Sequence, residues 1–238
     1  MNLDPGTIAI IQLAFSRHLG LADDALAATD ADERIYSVRE QSETVCFLRL
    51  FGTEVFSGPE WAAARARTKS AVELTRHSGL MQMSMEFGGR ALGAEQLFFA
   101  DAFPALAPLE DLAVANDPDL AVALERLCPP DDVAEAGLAG KEDVFVLVDD
   151  SEDDPRPVAG AGYSITDGIL ADMSVLTAPG HRLRGLGSYI SSVALEDAMA
   201  GGLIPQWRAP LDNVGAARTA MGSGFIPAGV RTSVSLSA

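Results

Sequence analysis

No stretch limits the possible architectures of this chain as strongly as residues 169–192, ILADMSVLTAPGHRLRGLGSYISS. An apolar strand ends at Thr177. Pro179 breaks it, the turn Arg182-Leu183-Arg184-Gly185-Leu186-Gly187 follows, and a helix is expected from about Ser188. A glycine-bearing turn between a strand and a helix aims several backbone N–H groups at one point, with the positive end of the helix behind them. Two arginines in the same turn add charge suited to phosphate. The segment therefore predicts a site for a phosphorylated ligand.

Charge distribution agrees. The 238 residues carry a net −17, which argues against nucleic acid as a partner because that binding rests on Lys and Arg meeting phosphates. From Asp172 onward five arginines face Asp172, Glu196, Asp197 and Asp212, a net +1, leaving −18 on residues 1–171. The phosphate-suited turn thus lies in the only part of the chain that is not acidic. Cys46 and Cys128 have no C-x-x-C spacing and read as small apolar residues of a reducing compartment. His18, His77 and His181 form no ligand-spaced cluster, so no metal is expected. The N-terminus lacks a basic segment before its apolar run, and no apolar run approaches the roughly 20 residues of a membrane span. A cytoplasmic protein without membrane contact is the expectation.

Periodicity organises the rest. Helices are expected over Thr7–Leu19, Glu60–Arg67, Ser70–His77, Asp117–Leu127 and Asp131–Gly137, and strands over Arg34–Val38 and Val45–Phe51. Met81, Met83, Met85 and Phe87 alternate as on one face of a strand, with a pliable pocket as the other reading. From Asp143 the pattern becomes strand Asp143–Val148, strand Val158–Ile165 and strand Ile169–Thr177. Then come the glycine turn, helix Ser188–Ala200, strand Leu203–Arg208, helix Asn213–Met221 and strand Val230–Leu236. Two hairpins in succession make the first three strands antiparallel neighbours. The acidic run Asp149–Asp154 reads as a solvated hairpin tip, or as an attractor of a cationic ligand. A division near residues 128/129 gives an N-terminal mixed α/β domain, 1–128, and a C-terminal domain, 129–238.

Walker A loops need Gly-Lys-Ser/Thr, which is missing here, and a dinucleotide fingerprint would need a third glycine where Ile190 stands. What remains is P-x-x-R-x-x-G-x-G after a strand, followed by Asn213-x-x-Ala216 and Gly224-Phe225. In the order and spacing of elements over roughly 142–236, the chain resembles the GNAT N-acetyltransferase superfamily. The resemblance implies an α/β fold with a mixed, mostly antiparallel sheet flanked by helices. Residues 1–128 then read as a degenerate second unit of the same kind, without the R-x-x-G-x-G turn.

The resemblance also implies acetyl-CoA as cofactor, with its pyrophosphate on Arg182, Leu183, Arg184, Gly185, Leu186, Gly187 and Ser188. Its pantetheine arm would pair with the backbone of Val175, Leu176 and Thr177, where an N–H can also stabilise an oxyanion. Asn213 matches a cofactor-contacting Asn and equally reads as a helix cap. Acetyl transfer to a primary amine of a small molecule or peptide needs that amine neutral. Asp172, about one residue from the family's usual acidic position, is the candidate base or water relay, and Ser174 on the same face a second relay. Ala220 stands where the family has its Tyr acid, with Tyr163 and Tyr189 as substitutes, while His181 reads as an exposed turn residue. The acidic bulk favours a cationic acceptor by steering. A homodimer is compatible with the sequence. The alternative is a non-catalytic acyl-CoA-binding or regulatory protein.

Overall fold

A computed structural model describes residues 2–29, 33–104, 112–149 and 155–236. The acidic run beyond Asp149, residues 150–154, lies outside the described residues. The chain packs as two compact units. One comprises 1–3, 99–207 and 215–226; the other comprises 4–98, 208–214 and 227–238. Among the described residues no helix is long and apolar enough to cross a membrane.

The unit carrying the glycine turn is built on strands β5 (Leu112–Ala115), β6 (Asp143–Asp149), β7 (Arg156–Thr166), β8 (Leu170–Thr177) and the start of β9 (Ile204–Pro210). Their order is β9-β8-β7-β6-β5. β5–β6, β6–β7 and β7–β8 are antiparallel, and β8–β9 is parallel. Helix α8 (Leu186–Ala200) packs on β6, β7 and β8, burying Ile190, Ala194, Leu195 and Ala198. Helix α6 (Pro118–Arg126) and the 3₁₀ turn Leu138–Gly140 supply a second core, in which Ala121, Leu124 and Leu138 meet Val144, Val146, Val148 and Leu176, with Val133 and Ala136 of α7 (Pro130–Ala136) packed at its margin. α6 starts on Pro118, and its cap Asp117 accepts the Asp119 N–H at 2.9 Å.

α9 (Val214–Gly222) ends through paired bonds, Phe225 N–H to Ala220 O and Gly224 N–H to Met221 O, with Gly224 left-handed. The Gly-Phe pair is thus a Schellman stop, and its Phe225 ring packs edge-on against Trp207 with centroids 5.5 Å apart.

In the other unit the strand order is β1-β3-β2-β10-β4, from Arg34–Val38, Thr53–Gly58, Thr44–Leu50, Ile226–Ser235 and Arg90–Phe99 respectively. β2 is antiparallel to β3 and to β10, while β1 runs parallel to β3. α1 (Pro5–His18), α3 (Glu60–Ala66), α4 (Ala71–Thr75) and α5 (His77–Ser84) accompany them, with a four-residue α2 at Ala25–Ala28. Its core joins Phe47, Phe56, Leu74, Leu80, Met83 and Val234. Arg34 ties it together, bonding Glu54 at 2.9 Å and the carbonyls of Ala66 and Lys69 at 3.1 and 3.0 Å.

One expectation is corrected here. Met81 and Met83 belong to helix α5, and Met85–Phe87 is a 3₁₀ turn. The buried set Leu80, Met83 and Ser84 has helical spacing, whereas Met85 is exposed. The alternation of methionines carried no strand face.

Candidate functional site

β8 is paired along its whole length on one edge and only half its length on the other. Against β7 the register runs from Leu170↔Thr166 to Thr177↔Ala159. Against β9 it stops at Met173↔Trp207. Successive residues of a strand point their N–H and C=O to opposite edges. The Ile169 carbonyl receives the Ile204 N–H, and the Ala178 N–H goes to Val158 on β7, which fixes the alternation. Val175 and Thr177 therefore present backbone groups to the edge where the β9 ladder has ended. Leu176, expected to do the same, spends its groups on Gly160 of β7 and buries its side chain in the core beside α6.

The turn after β8 brings the start of α8 back over this end. Pro179–His181 forms a 3₁₀ turn, Leu183 is left-handed at φ 63° with its side chain fully exposed, and Gly185 caps α8 at φ 80°. No side chain caps α8, and no acidic residue stands in its first turn. The Tyr189 N–H bonds the Gly185 carbonyl at 3.0 Å; the N–H groups of Leu186, Gly187 and Ser188 precede that first helical bond. At Gly187 the helix start comes close to the strand: a Cβ there would lie 3.1 Å from Thr177 Oγ1 and 3.7 Å from Val175 Cγ2. The glycine thus lets the helix start sit directly on the end of β8. Ser188 accepts hydroxyl bonds from Ser192 and Ser223 at 2.9 and 3.2 Å, fastening α8 to the end of α9.

The two arginines of the turn differ. Arg182 donates from Nε to the Thr177 carbonyl at 3.1 Å and from a terminal nitrogen to Asp132 Oδ2 at 2.5 Å. Arg184 is exposed and has no partner among the described residues. His181 is half-buried in the 3₁₀ turn, its N–H on the Ala178 carbonyl.

Asp172 and Ser174 lie on the strand face opposite the one Val175 and Thr177 turn toward α8. Asp172 is within the closed part of the ladder, in register with Gln206, and its carboxylate meets Lys141 Nζ at 3.2 Å. Ser174 is half-buried, in register with Gly162. Asn213, directly before α9, belongs to the other unit's segment 208–214 and donates its N–H to the Pro210 carbonyl at 2.9 Å.

Ala220 is fully buried. Tyr163 is buried and donates to Asp197 of α8 at 2.6 Å. Burial, then the carboxylates of Asp197 and Asp143, push its phenol well above the ordinary tyrosine range. It holds α8 on the sheet as a neutral donor. Tyr189 is half-buried in the first turn of α8. Both cysteines are free, and burial raises each thiol above its usual value, so neither is an activated nucleophile.

Sequence reading missed two partners, Lys141 of Asp172 and Asp132 of Arg182. They stand 31 and 50 residues from the groups they bind, and no local pattern signals either.

No family model matches the chain, and no curated protein matches it. Solved structures do. A protein of Novosphingobium aromaticivorans assigned to the GNAT acetyltransferases is 21% identical over 63% of this chain and 69% of its own, with a TM-score of 0.45. A GCN5-related N-acetyltransferase of Kribbella flavida is 18% identical over 67% of this chain and 64% of its own, with a TM-score of 0.46. A Drosophila protein is 11% identical over 67% of this chain and 57% of its own, with a TM-score of 0.51. The latter two are matched over less than two thirds of their length. Over 67% of its residues the chain shares its fold with the Drosophila protein.

Proposed function

We propose that this protein is an acetyl-CoA-dependent N-acetyltransferase acting on a primary amine of a small molecule or peptide. One observation carries the reading. The half-open edge of β8 and the uncapped start of α8 meet at Thr177 and Gly187. An open strand edge suits an extended arm bearing amides, and the first-turn N–H groups of a helix suit a pyrophosphate. The space above Gly185 is open, with nothing within 4 Å of a Cβ built there. The residues thus fit the cofactor. Leu186, Gly187 and Ser188 would hold its phosphates through N–H groups, with Arg184 adding charge. Val175 and Thr177 would hold the arm through the open edge.

Bound acetyl-CoA supplies an activated acetyl thioester. The chain's own part is to hold it, orient it and offer the Val175 N–H as a donor to a carbonyl oxygen gaining negative charge. Asp172 is assigned to its ion pair with Lys141, so the acceptor amine is expected to lose its proton to solvent before attack rather than to this carboxylate. The acidity of residues 1–171 supports a cationic acceptor by steering, and two free thiols suit a cytoplasmic setting.

A second reading, acyl-CoA binding without turnover, has specific support. Ala220 offers no proton, Tyr163 is locked to Asp197, and Asp172 is neutralised by Lys141. Calorimetric titration with acetyl-CoA, followed by thiol release over a panel of amines, separates the readings. Binding with release on cationic amines is the expected result. Binding without release on any amine favours the second reading, and absence of binding contradicts both.

A further inference from the structure

Arg182 stands where a phosphate-pairing residue is expected, yet its guanidinium is already doubly engaged. A terminal nitrogen lies 2.5 Å from Asp132 Oδ2, and Nε lies 3.1 Å from the Thr177 carbonyl. A carboxylate accepting from guanidinium nitrogens offers the same kind of acceptor oxygens as a phosphate. Thr177 O is one of the backbone groups that the end of the β9 ladder leaves on the open edge. So Arg182, held by Asp132, also covers an acceptor that an extended arm would use.

We propose that Asp132 acts as an internal stand-in for phosphate on Arg182, and that phosphorylated ligands enter by exchanging with it. The inference rests on the acyl-CoA reading of this turn. Asp132 is then a specificity-determining residue. A ligand bearing pyrophosphate can replace its carboxylate on Arg182 and free the Thr177 carbonyl, whereas an uncharged pantetheine arm alone cannot. The exchange is feasible because both side chains are partly solvated, 42% and 39% exposed, so the pair is weakly held. Asp132 reaches Arg182 from the first turn of α7, where a carboxylate also suits the helix N-terminus and is thereby kept in place. Arg184 in the same turn has no such competitor among the described residues and is available to a first encounter.

The test compares affinities for CoA, ADP and pantetheine by calorimetry for the wild type, Asp132→Asn, Asp132→Ser and Asp131→Asn. Asp131 is the neighbouring carboxylate of the same helical turn and serves as the charge control. Removing a partly exposed ion-pair competitor should tighten CoA and ADP by about two- to fivefold in both Asp132 variants. Pantetheine should be unaffected, and Asp131→Asn should have a clearly smaller effect. In an Arg182→Gln background, Asp132→Asn should change nothing further. If the wild type binds CoA while both Asp132 variants bind it equally or more weakly, Asp132 is a strut and the inference falls alone. The same holds if Asp131→Asn tightens binding as much as Asp132→Asn. If neither CoA nor ADP binds any of these proteins, the acyl-CoA reading falls with it.

Discussion

Lys141 Nζ stands 3.2 Å from Asp172 Oδ2 and 3.0 Å from the Asp172 carbonyl oxygen, and the two side chains are only 11% and 13% exposed. The ammonium therefore binds one residue twice and fixes the middle of β8 just before its β9 pairing ends. Removing Lys141 takes the cation from a carboxylate that has little access to water. Lys141→Met is expected to lower unfolding free energy by roughly 3 kcal/mol, and Lys141→Met with Asp172→Leu to recover most of the loss. Urea denaturation of the two variants checks this.

The same pairing sets an expectation for catalysis. A positioned general base contributes typically 10²–10⁴-fold, so Asp172→Asn should cut kcat by less than about tenfold if the carboxylate serves Lys141 rather than the acceptor. Log kcat/KM should then rise by about one unit per pH unit up to the acceptor's own amine pKa. A larger loss of kcat in a folded Asp172→Asn protein, with the plateau moved, would restore Asp172 as the base.

Tyr163 gives a pH prediction. Its folded pKa is raised by burial and by Asp197, above an unfolded value near 10. A raised value means the folded state holds the proton more tightly. The stabilisation is complete below about pH 10 and is lost as pH climbs from there toward the folded pKa. Absorbance titration of the three tyrosines should show one that ionises only with unfolding, and Tyr163→Phe should remove that step. A Tyr163→Phe protein that retains a phase coupled to unfolding would contradict the assignment.

Backbone strain in the turn is separable from its chemistry. Leu183 is left-handed with a fully exposed side chain, a conformation that costs an L-residue about 1–2 kcal/mol, while glycine forfeits about 0.5–1 kcal/mol of unfolded-state entropy. Leu183→Gly should therefore stabilise the protein by about 0.5 kcal/mol. Gly185→Ala, at φ 80°, should destabilise it by about 1 kcal/mol. Thermal melts of both variants measure the difference.

The hairpin strands and the turn were legible in sequence because their signals are local. β-branched runs bounded by turns gave β6, β7 and β8, and Pro179 with Gly185 and Gly187 marked the passage to α8. β3 was missed for a local reason as well. Its hairpin from β2 turns on Phe51 and Gly52, both left-handed, and a phenylalanine there does not announce a turn as asparagine would. The methionine alternation misled because helix α5 buries Leu80, Met83 and Ser84, leaving the alternating Met85 in solvent.

What no window of sequence could show is pairing at long range. The length of the β8–β9 ladder decides which of Val175, Leu176 and Thr177 offers free groups. The first turn of α7 and the residues just before β6 bring Asp132 and Lys141 to Arg182 and Asp172. These contacts change the chemistry read from the motif.

The central claim is that the open edge of β8 and the start of α8 together hold acetyl-CoA. Amide hydrogen exchange with and without acetyl-CoA tests it most directly. Slowed exchange is expected at Val175 and Thr177 and at Leu186, Gly187 and Ser188. Leu176, already paired to β7, should change little. Binding with protection confined to other segments, or no protection at saturating acetyl-CoA, would contradict it.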